Sequence, residues 1–335
     1  MENSAYTEEQ MTLLDNIGTV THSKGILLKF CCMVVLYSTD MRPPDQKDAA
    51  LRIYDDYMAM YGDQIRWTTN PATGRFKRVK NGAIQGVQPQ EWVRDAVDAY
   101  EIMFHGGKER TDATDIAFIA SAKPRHQVSY STVSQVHCRF PIRDVLQNKV
   151  NLPELVQRWC GWLKPLHGHA GLGVGRSFGY ESSNRSRSEE TDLLLRMPGL
   201  QLWNYIEGVG DKEDGMGLYT GPRCADWLIS LSDGFLDALG GLAMLEQKAP
   251  EGIAILPYTG GAVLQAGPYP QAGSTEFGIH LPYYEKMGEI IEPVRAKSLF
   301  PELSVLRPDG WADNNEALSK AWYERFSPHV VQQKR

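Results

Sequence analysis

The chain has 335 residues, 42% hydrophobic and 23% charged, enough for a large core in one or two domains. Its formal net charge is −6 with a pI near 5.8, the wrong sign for gripping duplex nucleic acid directly and the right sign for meeting a basic protein surface. Five cysteines, at 31, 32, 138, 160 and 224, are odd in number and without CxxC spacing; this excludes a secreted disulfide framework and fits a reducing cytosol.

The N-terminal MENSAYTEEQ has no basic leader character. The first apolar run, residues 26–37, is 12 residues long and carries Lys29, too short for a bilayer span of about 20 residues. The expectation is a cytoplasmic chain without membrane contact. Glu8 and Glu9 favour a short helix over 7–17. Residues 25–38, GILLKFCCMVVLYS, read as a long strand. Pro43-Pro44 and Asp45 start a helix that stops before Gly62, with Ala50, Ile53, Tyr54, Tyr57 and Tyr61 on one core-facing stripe. Residues 64–68 and 76–79 form a hairpin around Asn70-Pro71 and Thr73-Gly74.

A second helix is expected over 89–104, with Trp92, Ala96, Ala99 and Met103 on one face and His105-Gly106-Gly107 as its stop. Strands follow at 115–122 and 131–140, then a helix at 152–163 and a glycine-rich extended stretch at 169–180. Residues 188–197 read as a helix and 200–206 as a short apolar segment. Residues 207–223, with five glycines and four acids, read as a turn-rich surface loop. Residues 227–242 are apolar nearly all round and read as a buried helix ending at Gly240-Gly241. Residues 253–257 and 262–266 make a hairpin, and helices follow at 283–291 and 315–326. The sum is an α+β fold, with mixed or antiparallel sheets flanked by helices in one compact unit over 1–335. Two similar halves, 20–122 and 125–330, are the alternative organisation.

Chemistry is sparse. His167-Gly168-His169 on a strand would share a face, as a zinc site needs, but no third ligand stands at a recognised spacing. Gly171-Leu172-Gly173-Val174-Gly175 lacks the GxGxxG frame and opens no helix, so it reads as a strand packed closely against a neighbour. No GxSxG and no GxxxxGK[ST] occurs. Adjacent acids such as Asp55-Asp56 and Glu189-Glu190 point about 100° apart on a helix and do not make a shared site. No cofactor or metal is called for. Two readings stand: a protein that acts by binding, or a metal- or thiol-dependent enzyme built on Cys160, His167 and His169. For binding, the candidate contacts are two acidic clusters, Glu207, Asp211, Glu213 and Asp214 in the loop, and Glu189, Glu190 and Asp192 on the helix.

Trp227-Leu228 with Leu231, then Leu239-Gly240-Gly241, resembles one signature of the type VI immunity family. The run Gly261-Ala262-Val263-Leu264-Gln265-Ala266-Gly267-Pro268-Tyr269-Pro270, followed by Tyr283, Tyr284 and Pro293, resembles a second. The segment from Leu36-Tyr37 through Trp67 is also similar, so the resemblance spans residues 25–325. The chain departs at Gly273-Ser274, where the family pattern has Gly-Asp. These motifs are structural. The resemblance implies a non-enzymatic immunity protein that binds a cognate type VI secretion toxin one-to-one, of the kind paired with VRR-Nuc nucleases that cut DNA in the cytoplasm. It also implies occlusion of that toxin's active or DNA-binding site.

Overall fold

The computed structural model describes residues 6–22, 25–69, 74–79, 88–124, 133–179, 186–202, 220–297, 299, 301–308, 310 and 312–330. Its strands are β1 (Val20–His22), β2 (Gly25–Ser38), β3 (Trp67–Thr69), β4 (Phe76–Arg78), β5 (Tyr100–His105), β6 (Ala117–Ala122), β7 (Ser134–Phe140), β8 (His167–Arg176), β9 (Gln201–Leu202), β10 (Leu228–Ser232), β11 (Ile253–Tyr258), β12 (Gly261–Ala266), β13 (Ser304–Leu306) and β14 (Ala312–Asn314). The first twelve form one sheet in the order β11-β12-β10-β8-β2-β7-β6-β5-β3-β4, with β1 on β2 and β9 on β8; β13 and β14 form a separate pair. Every described pairing is antiparallel except β8 with β9. The α+β class is as expected.

β2 is the axis of this sheet. It pairs with β7 from Cys32 to Ser38 on one edge and with β8 from Leu28 to Tyr37 on the other. A strand buried on both faces gains from being apolar at every position, which is what GILLKFCCMVVLYS supplies. Phe30, Cys32, Val34 and Leu36 face the main core, while Cys31, Met33, Val35 and Tyr37 face a second, smaller one. The sheet runs unbroken through both suggested halves. Outward from the β7–β2 centre, one side reads β6-β5-β3-β4 and the other β8-β10-β12-β11. The first side is therefore laid down largely from the rim inward and the second from the centre outward.

The main face is covered by α1 (Glu8–Ile17), α2 (Pro44–Tyr61), α3 (Pro89–Asp95), α4 (Ile142–Leu146) and α5 (Leu152–Leu163). The tyrosine stripe of α2 is core, as its spacing implies. Tyr54, Tyr57 and Tyr61 are buried; Tyr57 Oη donates to the Arg139 carbonyl at 2.7 Å and Tyr61 Oη to Asp144 Oδ2 at 3.0 Å. Further along the chain come α6 (Arg187–Arg196), α7 (Asp233–Ala238), α8 (Leu242–Lys248), α9 (Pro282–Ile291) and α10 (Glu316–Tyr323).

Two sequence expectations are corrected. The helix from Pro89 stops at Asp95, and residues 100–105 are strand β5, paired with β6 along its whole length. Tyr100, Ile102 and Phe104 enter the main core and Met103 the smaller one, a period of two that the apolar run disguised. The segment 227–242 is not a helix either. Leu228–Ser232 is strand β10, slotted between β12 and β8, and helix begins only at Asp233. Burial on both faces makes a strand as uniformly apolar as a buried helix, so composition alone does not separate them. Gly240 (φ 97°) and Gly241 (φ 91°) then break the chain before α8.

Candidate functional site

The glycine-rich stretch is β8, a strand buried from end to end. Its odd positions form one face. A Cβ added at Gly171 would sit 2.1 Å from Asp226 Oδ1, at Gly173 2.3 Å from Met33 Cε, and at Gly175 2.7 Å from an Arg139 guanidinium nitrogen. The glycines are space for a buried polar layer on the face that also carries His167 and His169.

Asp226 is the centre of that layer. It is fully buried, accepts from the Trp227 backbone N–H at 2.7 Å, and its Oδ2 lies 3.1 Å from His169 Nδ1. Burial pushes its carboxyl up to about 8, against the opposing Trp227 N–H and the Arg325 and Arg223 guanidiniums. His137 and His105 are also buried. Desolvation, with Arg139 adding to it, holds His137 well below the ordinary imidazole range and His105 at about 3. Arg139 donates to the carbonyls of Thr114 at 3.3 Å and Arg176 at 3.1 Å, and stands over the Phe178 ring, which also stacks on His105 at 4.4 Å. Arg176 pairs with Glu190, donating from Nε at 2.7 Å. Tyr37 packs on both His167 and His169. The gap bordered by Tyr37, His167, His169, Gln201 and Arg223 measures about 10 Å³, room for a single water at most. The layer is packed interior, with no room for a substrate.

The enzyme constellation is not assembled. Cys160 Sγ lies 3.3 Å from Ser230 Oγ, and Ser230 pairs in register with Gly168. Gly168 faces opposite to its neighbours His167 and His169, so the sheet lies between the thiol and both imidazoles. Burial pushes the Cys160 thiol up to about 12, which keeps it protonated and unreactive. Among the described residues, no group of three His, Cys, Asp or Glu side chains stands close enough to hold a metal ion.

The acidic candidates divide. Glu207, Asp211, Glu213 and Asp214 lie outside the described residues. On α6, Glu189 and Asp192 are exposed, but Glu190 is turned inward onto Arg176 and is 1% exposed, so it is a structural ion pair and not a contact. A helix presents successive residues some 100° apart, and the core took the middle one.

A larger acidic surface was missed. Residues 40–61 and 88–101 together hold nine acids against four basic residues. α3 lies along α2, tied by Gln90 to Asp55 at 3.2 Å, Arg94 to Asp48 at 3.5 Å, and Lys47 Nζ to the Arg94 and Ala96 carbonyls at 3.1 and 2.5 Å. Arg42 reaches Asp98 at 3.9 Å. The sequence carried this signal as a local charge excess, but each acid singly reads as a helix-start preference. Only the packing of α3 on α2 gathers them.

This architecture is shared with a solved structure. The chain superposes on Pseudomonas aeruginosa T6SS protein PA0821 with a TM-score of 0.78 at 19% identity, covering 97% of this chain and 91% of that one. At that identity the likeness shows the fold. No curated protein matches the chain. The class is then fixed by sequence: residues 49–326 match the TsiV family, described as type VI immunity for VRR-NUC, and the chain belongs to that family. Among the described residues, no helix is long and apolar enough to cross a membrane.

Proposed function

We propose that this chain binds a cognate type VI nuclease effector of the VRR-Nuc kind and neutralises it stoichiometrically, by covering its active or DNA-binding site. The family match over residues 49–326 is the observation that carries this reading. It is supported by the state of the ionisable groups. The His169–Asp226 contact is sealed in the interior, and the thiol that could serve as a nucleophile is protonated and walled off by the sheet. A protein that acts by surface needs its polar residues for shape, and this one spends them on a packed layer. The site of action is the cytoplasm, where the toxin meets DNA, and neither metal, cofactor nor membrane takes part. The contact surface is acidic, and Glu189 and Asp192 remain candidate contacts within it.

The test is a titration of the purified effector's DNase activity with this chain. Activity falling linearly to zero at one equivalent is expected, with both proteins recovered intact. Protection by a small fraction of an equivalent, or covalent change in the effector, would mean turnover and would overturn the reading.

A further inference from the structure

The chain's negative charge is unevenly placed, and one concentration of it adjoins an open cleft. The α2–α3 face exposes Asp45, Asp48, Asp55, Glu91, Asp95 and Asp98. Val97, between the exposed Asp95 and Asp98, is itself 92% exposed. Beside it lies a cleft of about 290 Å³ lined by Trp92, Tyr100, Glu101, Ser121 and Lys123 among others. It opens beyond the end of β3, which pairs with β5 only at Phe104 and His105.

Among the described residues, three polar atoms of the cleft lining are buried without a hydrogen-bond partner: Trp92 Nε1, Tyr100 Oη and Ser121 Oγ. Tyr100 is 3% exposed and Ser121 2%. Buried polar groups are nearly always bonded, and clusters of exceptions mark places where something else supplies the bond. Trp92 Nε1 is a donor only, so the missing group must carry an acceptor; the two hydroxyls take either role. An amide side chain or a main-chain turn of a partner meets Trp92 Nε1 and Tyr100 Oη, which share the α3 side of the sheet; Ser121, in register with Glu101, faces the other side.

From these two independent observations, charge and unpaired polar groups, we infer that the α2–α3 face and its adjoining cleft are the docking surface for the basic DNA-binding groove of the cognate nuclease. The carboxylates stand where DNA phosphates would otherwise lie, Val97 is the apolar contact among them, and a loop of the nuclease enters the cleft. This inference rests on the proposed function and adds its location. Charge complementarity chooses the occupant: a groove built to bind phosphates meets six exposed acids against the exposed Arg52 and Arg94. A second copy of this chain would bring the same charge to itself.

The experiment measures binding of the purified cognate effector to four forms of the full chain, at low and physiological salt. One carries Glu91→Lys, Asp95→Lys and Asp98→Lys; one carries Glu189→Lys and Asp192→Lys; one carries Tyr100→Phe; the fourth is unchanged. The triple variant is expected to lose about 30-fold or more in affinity, mostly in association rate, with most of its salt dependence gone. Tyr100→Phe is expected to weaken binding about 5-fold while leaving the free protein as stable or more so, because it deletes an unbonded buried hydroxyl. A hydroxyl of merely structural use would lower stability instead. If the unchanged chain binds and the triple variant binds equally well, or if only the α6 variant fails, the placement is overturned and the proposed function survives. If the unchanged chain does not bind the effector at all, both fall.

Discussion

Gly171→Ala tests the account of the glycine-rich strand. The new Cβ would lie 2.1 Å from Asp226 Oδ1 and 3.0 Å from its Cγ, where ordinary contact begins at 3.4 Å. The carboxyl must therefore retreat by more than an ångström. It is held on one side by the Trp227 N–H at 2.7 Å and on the other by His169 at 3.1 Å, and no retreat keeps both. Overpacking a core costs about 1–3 kcal/mol, and leaving a buried polar group unbonded costs about 1–3 kcal/mol more. The expected loss, about 2–6 kcal/mol, is a large share of the roughly 5–15 kcal/mol that holds a folded domain. Urea unfolding followed by tryptophan fluorescence would measure it. The decisive comparison is the double variant Gly171→Ala with Asp226→Ser, in which the smaller side chain makes room. It should be more stable than the sum of the two single changes by at least about 1 kcal/mol. A Gly171→Ala cost below about 1 kcal/mol, or a double variant additive within about 0.5 kcal/mol, would refute the idea that this glycine exists to admit Asp226.

Stability should peak near pH 6.5. His105 and His137 are depressed in the folded chain, so their contribution is whole above about 6.5 and is lost as pH falls and the unfolded imidazoles take protons. Asp226 is raised, so its contribution is whole below about 4 and is lost as pH rises toward 8. Two histidines outweigh one acid below about 6.5; above it the acid leads, joined toward about pH 8 by the raised thiols of Cys31, Cys32, Cys138 and Cys160. Asp226→Asn should remove most of the decline between about 6.5 and 8 in unfolding experiments across that range; an undiminished decline would assign it to another group. Glu190→Ala should cost about 3–5 kcal/mol by stranding the Arg176 guanidinium, whereas Glu189→Ala and Asp192→Ala should each cost less than about 0.5 kcal/mol. Equal effects across the three would contradict the inward placement of Glu190. All five cysteines are buried, so a thiol reagent should label none of them quickly in the native chain and all of them in urea; fast native labelling at Cys160 would reopen the thiol reading. Cys160→Ala should leave neutralisation of the effector at one equivalent.

Much of the fold was legible because local rules and tertiary demands agree in it. Pro43-Pro44 and Gly62 bracket α2 as their backbone preferences require, and β2 is β-branched and apolar because both its faces are buried. The hairpin of β11 and β12 follows from Gly260, whose φ of 105° suits the turn. The sequence also established what the chain lacks in chemical motifs, and carried the family signatures. Where the reading failed, at 96–104 and 228–232, an apolar run fitted two periods and only the available partner strands chose between them. Tertiary structure alone decided three further things. It placed Cys160 and His169 on opposite faces of one sheet, although the two lie nine positions apart. It turned Glu190 inward while leaving Glu189 out. It gathered acids from two separated helices into one face beside a cleft. Each is a matter of which side of an element meets the core, and that is set by neighbours distant in the chain, not by the residues adjacent in it.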